Sequence, residues 1–295
     1  MEHLTLYSES LDELQDAINA ALVSQKLLEE SSRHTLKKLE NVESLAISQA
    51  TGSARVRLGS TEVLVGVKAE VGTPTQEAPN QGWIVFGAEF SPVASPAFRG
   101  RGGNELSGEL TAVLERAFFT GHGTSFAGLD LGALCILPGK SCWILYVDVL
   151  VLSVGGWVED AASIAIKAAL ASTLLPRVEI IASEDPDDEP DYALDDDAAV
   201  SVSLDVAKIP LTVTVAQVGA ALGLDLDETE KACASAAAAI SVDPDGQILG
   251  VTKKGDGGLT PDVLLNMIDV AAQRGKLLHN ALEKFIQLEK AAAMA

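Results

Sequence analysis

The fold of this 295-residue chain is decided by the stretch Cys142-Trp143-Ile144-Leu145-Tyr146-Val147-Asp148-Val149-Leu150-Val151-Leu152. The stretch is apolar almost throughout, which predicts a central β-strand that is covered on both faces. Pro138-Gly139-Lys140 joins it to a preceding apolar strand over residues 129–137. An Ala/Ile-rich helix over residues 158–175 should follow, and a strand over residues 177–182 should come next.

Upstream of this core the pattern predicts a β-hairpin. Residues 53–58 alternate between apolar and polar side chains, Gly59-Ser60 is a turn, and residues 61–71 are rich in β-branched side chains. Residues 83–90 predict another strand. After a Pro/Gly-rich loop, Asn104 is a candidate cap for a helix over residues 105–119. A further helix is expected near the start, over residues 10–30.

Downstream, the chain predicts a second set of strands and helices. Alanine favours a helix over residues 232–240, yet the segment leads into the turn Asp243-Pro244-Asp245-Gly246, so helix and strand both stay open. The other expected elements are strands at 200–204, 211–215 and 247–252, a short helix at 216–222 and a long helix from Thr260 to Ala295. The fold class is α/β (α+β) in two halves, without the regular alternation of a doubly wound sheet.

An acidic run separates the two halves. Nine Asp and Glu residues lie between Glu184 and Asp197, with Pro186 and Pro190 among them. Such a run predicts a solvated loop rather than a cation site, because it lacks the spaced ligands of a calcium loop. The predicted organisation is an N-terminal helix and variable segment (residues 1–50), a first half (51–183), an acidic loop (184–198) and a second half with the C-terminal helix (199–295).

Charge limits the classes of function. The formal net charge is −21, so the chain as a whole should repel nucleic acid, and an RNA role would need a local basic patch or basic partners. The acidity could also serve solubility alone. No membrane span or secretory signal is expected. The three cysteines form no CxxC pair, which favours reduced thiols in an intracellular protein.

The motifs of common enzymes are missing. Gly121-His122-Gly123-Thr124-Ser125 lacks the frame of a serine nucleophile, because Ala127 stands where glycine is needed. We find no phosphate-binding loop and expect no cofactor and no metal, since the four histidines are scattered. Asp148, inside the apolar strand, would be costly to bury unless paired. It is either a catalytic or metal-binding acid at a strand end or a structural acid, and the second interpretation is favoured.

Several segments, in order, resemble the RNase PH-like ring subunits of the RNA exosome, in particular the non-catalytic "forty-two" type. The resemblance covers residues 52–279 and is carried by residues 52–68, 95–106 and 142–152, by Gly155-Gly156, by residues 160–170 and by Pro176-Arg177-Val178. It implies a two-part fold related to the second domain of ribosomal protein S5. At the N-terminus, only Arg33 remains of the family's Arg-x-Asp-Gly-Arg signature.

The resemblance also implies that this chain is catalytically silent. Active members cleave RNA from the 3′ end with inorganic phosphate, and they carry an acid and an arginine in a segment that reads roughly QADGGTR. Ser153 stands here about where the acid belongs, and Trp157 stands near the Thr-Arg pair. Serine cannot serve as the general acid, because its pKa is far too high. Asp148 alone is then better interpreted as structural.

The implied role is assembly and RNA guidance. The implied partners are other RNase PH-like subunits in a hexameric ring, S1/KH-type cap subunits, and RNA threaded through the pore, with a nuclear, nucleolar and cytoplasmic location. Arg116 matches one arginine with which relatives hold RNA, although a helix-surface salt bridge is an equal alternative. Arg99 and Arg101 are candidates for phosphate contact or for a ring interface. An active phosphate-dependent exoribonuclease and an unrelated enzyme or binding protein are the competing hypotheses.

Overall fold

The structure is a computed structural model that describes residues 39–95, 98, 101–120, 125–181, 191–195 and 200–293. The helix expected at residues 10–30 and the segment 121–124 lie outside these residues. The elements of the first half are β1 (Leu39–Ser44), β2 (Gly52–Leu58), β3 (Thr61–Gly72), β4 (Trp83–Phe90), α1 (Arg101–Phe118), β5 (Phe119–Thr120), β6 (Ser125–Phe126), β7 (Cys135–Leu137), β8 (Ser141–Ser153) and α2 (Val158–Ser172).

The first sheet has the order β1-β2-β3-β8-β4, with β7 pairing with β8. The predicted hairpin is confirmed, because β2 and β3 pair antiparallel from Leu58 opposite Thr61 to Gly52 opposite Val67. Its turn uses Gly59, whose φ of 58° lies in the left-handed region that glycine adopts without strain. The strand predicted at residues 83–90 is β4, which runs parallel to β8.

The central strand is β8, but only one of its faces is fully covered. Val147, Val149 and Val151 are buried beneath the helices, whereas Asp148 is exposed and Leu150 is half-buried. The prediction of a strand covered on both faces was therefore wrong. The nearly continuous apolar sequence concealed an ordinary alternation, because Leu150 is an apolar side chain on the open face.

Three boundaries in the first half differ from the predictions, and one of them is the end of α2, which stops at Ser172 and not at residue 175. Helix α1 begins at Arg101, so Asn104 lies inside the helix and does not cap it. Gly103 allows this early start, because a Cβ there would overlap the Phe98 carbonyl oxygen. The strand predicted at residues 129–137 is a 3₁₀ turn (Leu131–Leu134) followed by the short β7. Asp130 caps that turn by accepting a hydrogen bond from Gly132 N at 2.9 Å.

The second half is built on the sheet β14-β13-β15-β16. Its elements are β13 (Leu211–Val218), β14 (Ala221–Leu224), α3 (Glu228–Ala232), β15 (Ala236–Val242), β16 (Ile248–Lys254) and α4 (Pro261–Ala293). The helix predicted at residues 216–222 was wrong, because β13 continues to Val218 and turns at Gly219 into β14. The alanines of β15 form a strand that is buried along its whole length, so burial between neighbouring elements overrides the helical preference of alanine.

A narrow ribbon connects the two halves. β9 (Leu174–Pro176) pairs with β12 (Ser201–Ser203), and β10 (Val178–Ile181) pairs with β11 (Asp191–Leu194). The acidic segment was expected to be a loop throughout, and this was wrong for the four residues of β11. Residues 182–190 and 196–199 lie outside the described residues. No helix in the described part of the chain is long and apolar enough to span a bilayer.

Candidate functional site: the end of the central strand and the surfaces around it

The end of the central strand is held by the β2–β3 turn. Ser153 is the last residue of β8, and its hydroxyl donates a hydrogen bond to the Ser60 carbonyl at 2.7 Å. Gly155 N donates to Thr61 Oγ1 at 3.1 Å. A Cβ at Gly155 would overlap the Ser60 side chain, so only glycine fits at this position. The Ser153 hydroxyl, which the resemblance places about where the family's acid belongs, is therefore engaged in fixing the turn.

The side chain of Trp157 lies between the two halves. It is the N-cap residue of α2 and makes no side-chain capping hydrogen bond. Its ring is buried against Ala216, Val218 and Leu226 of the second half. Lys231 Nζ lies 4.3 Å from the ring centroid, which is a cation–π contact. The indole Nε1 is buried without a hydrogen-bond partner.

An ion pair that is largely shielded from solvent lies beside Trp157. Glu159, in the first turn of α2, meets Lys254 Nζ at 2.6 Å, and Lys254 also lies 3.5 Å from Glu109 of α1. The Lys254 side chain is only 12% exposed. This role of Lys254 is not readable from the sequence, because a lysine at the end of an edge strand gives no signal that distinguishes it from a solvated one.

The N-terminal half of α2 covers the part of the β13 edge that β14 leaves unpaired, at the start of the strand. Ser163 Oγ accepts a hydrogen bond from Thr212 N at 2.9 Å, and Asp160 Oδ2 accepts one from Thr214 N at 3.0 Å. Thr214 Oγ1 donates to Asp160 Oδ1 at 2.7 Å. The spacing of three residues on the helix matches alternate N–H groups of the strand. Burial raises the pKa of the Asp160 carboxyl to about 8, against the opposing effect of the Thr214 hydrogen bonds.

Farther along α2, Lys167 ties the helix to the second half. Its ammonium donates to the carbonyls of Ala207 and Ile209 at 3.0 and 3.1 Å and to His279 Nδ1 at 3.2 Å, which uses all three of its protons. His279 Nε2 donates to the Val242 carbonyl at 2.9 Å, so the imidazole is neutral. Burial lowers the pKa of Lys167 to about 8 and that of His279 to about 4.

A cavity of about 440 Å³ opens between α1, the start of α2 and the second half. Apolar and aromatic side chains line much of it, together with Lys231 and Lys254 and the carboxylates of Glu109, Glu159 and Glu228. Three carboxylates against two lysines give the lining an excess negative charge, and Lys254 is already paired. The cavity therefore opposes an inorganic anion rather than attracting one.

Asp148 lies away from this cavity, on the open face of the first sheet. It sits opposite Gly66 of β3 and Gly87 of β4, and its side chain is exposed. The carboxylate therefore carries no desolvation cost, and it does not share a site with Ser153 or Trp157. Both interpretations, catalytic and structural, assumed a buried acid, and both lose their basis because the side chain is exposed. The apolar sequence of β8 gave no sign that this face of the sheet is uncovered.

The candidate RNA contacts are spread over α1. Arg116 is exposed in the last turn, where a cation is favoured by the helix dipole, and it has no ion pair within the described residues. Arg101 is the first residue of the same helix, about 22 Å away along the axis, so the two do not form one patch. The Arg101 side chain and Arg99 lie outside the described residues.

Phe119, three residues after Arg116, forms the first residue of β5. Its ring packs edge-on against Phe86 and Phe126, with ring centroids 5.9 and 5.5 Å apart. The side chain therefore belongs to the aromatic core at the end of α1. The part of the chain that the structure describes contains no group of three or more His, Cys, Asp or Glu side chains that could hold a metal ion.

Comparison with known proteins shows the family. The 3′ exoribonuclease family matches in both of its parts, domain 1 over residues 38–176 and domain 2 over residues 208–274. A protein of Aeropyrum pernix named exosome complex component Rrp42 is 34% identical over 252 residues, which cover 83% of this chain and 85% of the relative. Its counterpart in Methanothermobacter thermautotrophicus is 30% identical over 91% and 93% of the two chains.

Solved structures agree with the sequence comparison. A chain of a structure described as an archaeal exosome core superposes with a TM-score of 0.69 and 26% identity, over 92% of this chain and 99% of that chain. Rice Rrp46 shares only the fold, with a TM-score of 0.57 and 15% identity over 86% and 97% of the two chains. Fold and sequence together define a two-domain RNase PH-type protein. The chain belongs to the 3′ exoribonuclease family, and the predicted fold class is confirmed.

Proposed function

We propose that the chain is a non-catalytic structural subunit of an exosome ring, which supports 3′-to-5′ RNA processing and degradation through assembly and RNA guidance. The observation that carries this proposal is the chemistry of the N-terminus of α2. Trp157 stands at the cap position, and Glu159, in the first turn, holds a carboxylate that is paired with Lys254. A helix N-terminus attracts phosphate through its dipole, and a carboxylate in the first turn opposes that attraction.

The polar groups near this helix end are also engaged elsewhere. The hydroxyl of Ser153 holds the β2–β3 turn, Lys254 is paired with two glutamates, and Lys231 covers the Trp157 ring. Thr214 fixes Asp160 through two hydrogen bonds. A phosphorolytic site needs an acid to protonate the leaving 3′ oxygen and a cation for phosphate. Both described lysines of this region contact protein groups, so neither is left as a free cation for phosphate.

Assembly with other RNase PH-like subunits follows from the relatives, which are named as components of the exosome complex. The net charge of −21 makes RNA binding by the isolated chain unfavourable, so basic neighbours would supply most of the phosphate contacts. S1/KH-type cap subunits belong to the same proposal. Among the three arginines that the resemblance singled out, Arg116 is the one whose side chain the structure describes, and its exposed guanidinium has no ion pair among the described residues.

Two measurements test the proposal. The purified chain, incubated with a 3′-extended RNA and inorganic phosphate, should release no nucleoside diphosphates, whereas phosphate-dependent release would establish the alternative of an active phosphorolytic exoribonuclease. Affinity purification of the tagged chain with mass spectrometry should recover RNase PH-like partners in stoichiometric amounts. A monomer that recovers none of them would favour an unrelated function on the same fold.

The RNA contact needs its own experiment in the assembled ring. Arg116→Glu should weaken protection of RNA against an added nuclease while the ring stays intact. Arg274→Glu, at a partly exposed arginine on the C-terminal helix, is the matched charge reversal. Equal protection by both variants would remove Arg116 from the RNA path.

A further inference from the structure

A groove with Gly66 and Asp148 on its floor lies on the open face of the first sheet. Gly66, Asp148 and Gly87 are direct cross-strand neighbours on β3, β8 and β4. The two glycines leave the carboxylate without side chains on either side, and a Cβ at Gly87 would meet Asp148 Oδ1 at 2.7 Å. The concave space on the β3 side has a volume of about 340 Å³.

One wall of the groove is the loop that follows β1. Ile47 reaches over the floor, since its Cδ1 lies 3.3 Å from the position of a Cβ on Gly66. The loop is fixed to β2, because Ile47 N donates to Ser53 Oγ at 2.8 Å and Leu45 N donates to the Ser53 carbonyl at 2.8 Å. Leu64 and Leu150 supply further apolar lining. The groove thus combines apolar walls with one carboxylate on its floor.

The cations on this face are already engaged. Lys68 Nζ pairs with Glu70 Oε1 at 2.5 Å, and that hydrogen bond raises the pKa of Lys68. Arg55 pairs with Glu62, and Arg57 Nε donates to the Gly59 carbonyl at 3.2 Å. Asp148 receives no hydrogen bond or ion pair from the described residues.

We propose that this groove receives an arginine side chain of a neighbouring RNase PH-like subunit, whose guanidinium pairs with Asp148 between the two glycines. The inference rests on the proposed function, since it names a contact within the ring. A guanidinium is planar and offers parallel N–H donors, so it can lie flat on a glycine floor and bind a carboxylate through two hydrogen bonds. Its aliphatic stem suits the apolar walls of Ile47 and Leu150.

Charge favours an arginine of a partner subunit over RNA or a second copy of this chain as the occupant of the groove. A carboxylate on the floor repels the phosphates of RNA. A second copy of this chain would bring two surfaces of net charge −21 together. A partner that supplies the basic surface which this chain lacks is complementary in charge, and its arginine neutralises an otherwise unpaired acid.

Charge reversal at the groove tests the contact. The full-length chain is mixed with its RNase PH-like partner subunit, and the affinity is measured by isothermal titration calorimetry. Asp148→Arg should weaken association about a hundredfold or more, and Asp148→Asn should weaken it about tenfold. Asp256→Arg is the control, because Asp256 is an exposed acid in the second half and its replacement changes the net charge equally. Circular dichroism verifies that each variant is folded.

The outcomes separate the inference from the function on which it rests. If the wild-type chain assembles and Asp148→Arg assembles as tightly as Asp256→Arg, the groove contact is overturned and the ring function stands. If the wild-type chain does not assemble, both are overturned. A photo-cross-linking residue in place of Asp148, in the assembled ring, should attach to an arginine-containing peptide of the partner. Attachment to RNA, to residues 1–38 of this chain or to a second copy would overturn the proposal.

Discussion

Asp160 and Asp148 are two carboxylates on consecutive elements of one unit, yet their surroundings are opposite. Asp160, at the start of α2, is 4% exposed and accepts two hydrogen bonds from Thr214. Asp148, on β8, is exposed between two glycines and has no partner among the described residues. The first lies in the seam between the halves, which we define as α2 with its contacts to the second half. The second lies on the open face of the first sheet.

The difference distinguishes side chains that stabilise the contact between the two halves from side chains that remain accessible to partner molecules. In the seam, the polar side chains Ser163, Asp160 and Lys167 are used to fasten α2 to the second half. All three side chains are buried, so phosphate and RNA do not reach them. On the open face and at the end of α1, Asp148 and Arg116 are left for partners. The residues on which the proposed lack of catalysis rests and those on which the proposed assembly rests thus lie in different regions of the chain.

The largest effect is expected at Lys167. Lys167→Met keeps the length of the side chain but removes the donor of the buried Ile209 carbonyl and of His279 Nδ1, and also that of the partly buried Ala207 carbonyl. The free energy of unfolding should fall by about 3–5 kcal/mol, measured by urea denaturation. Lys208→Met replaces an exposed lysine nearby and should change it by less than about 0.5 kcal/mol. Similar losses in both variants would mean that the seam does not depend on this ammonium group.

Asp160 should make stability fall as the pH rises. Its pKa is raised from 3.8 to about 8 in the folded chain, so the stabilisation is complete below pH 4 and is lost as the pH rises through 8. Asp160→Asn cannot ionise, and its amide can still serve both groups of Thr214. The variant should gain on the order of a few kcal/mol relative to the wild type between pH 4 and 9, measured by urea denaturation at each pH. Parallel pH profiles would show that Asp160 does not titrate between these limits.

His279 should make the stability of the folded chain fall as the pH is lowered. Burial lowers its pKa to about 4, below the ordinary value of 6.5, so the stabilisation is present above pH 6.5 and is lost as the pH falls through 4. His279→Gln retains an acceptor for Lys167 and a donor for Val242 and does not titrate. Its loss of stability between pH 7 and 4 should be smaller than that of the wild type by about 1–2 kcal/mol. An identical dependence of stability on pH in both proteins would show that His279 does not cause the loss of stability at acid pH.

Local patterns predicted the elements better than their contacts. The β2–β3 hairpin, β4 and β8 were readable because turn chemistry and β-branched runs are local. Ser153 and Trp157 were singled out from the resemblance, and the structure adds what they touch. The partners of Asp160, Lys167 and Lys254 lie 40 or more residues away along the chain. Pairing at that separation depends on tertiary packing, which no local pattern encodes.

The smallest effect is expected at Asp148, and it completes the comparison with Asp160. Asp148→Asn removes an exposed charge without removing an internal hydrogen bond or leaving a buried group unpaired. The free energy of unfolding of the isolated chain should therefore change by less than about 0.5 kcal/mol at pH 7. The same Asp→Asn change at Asp160 should give a pH-dependent difference, because only that carboxyl is buried. A loss above 1 kcal/mol for Asp148→Asn in the isolated chain would mean that the open face is internally paired, and that Asp148 is not left for a partner.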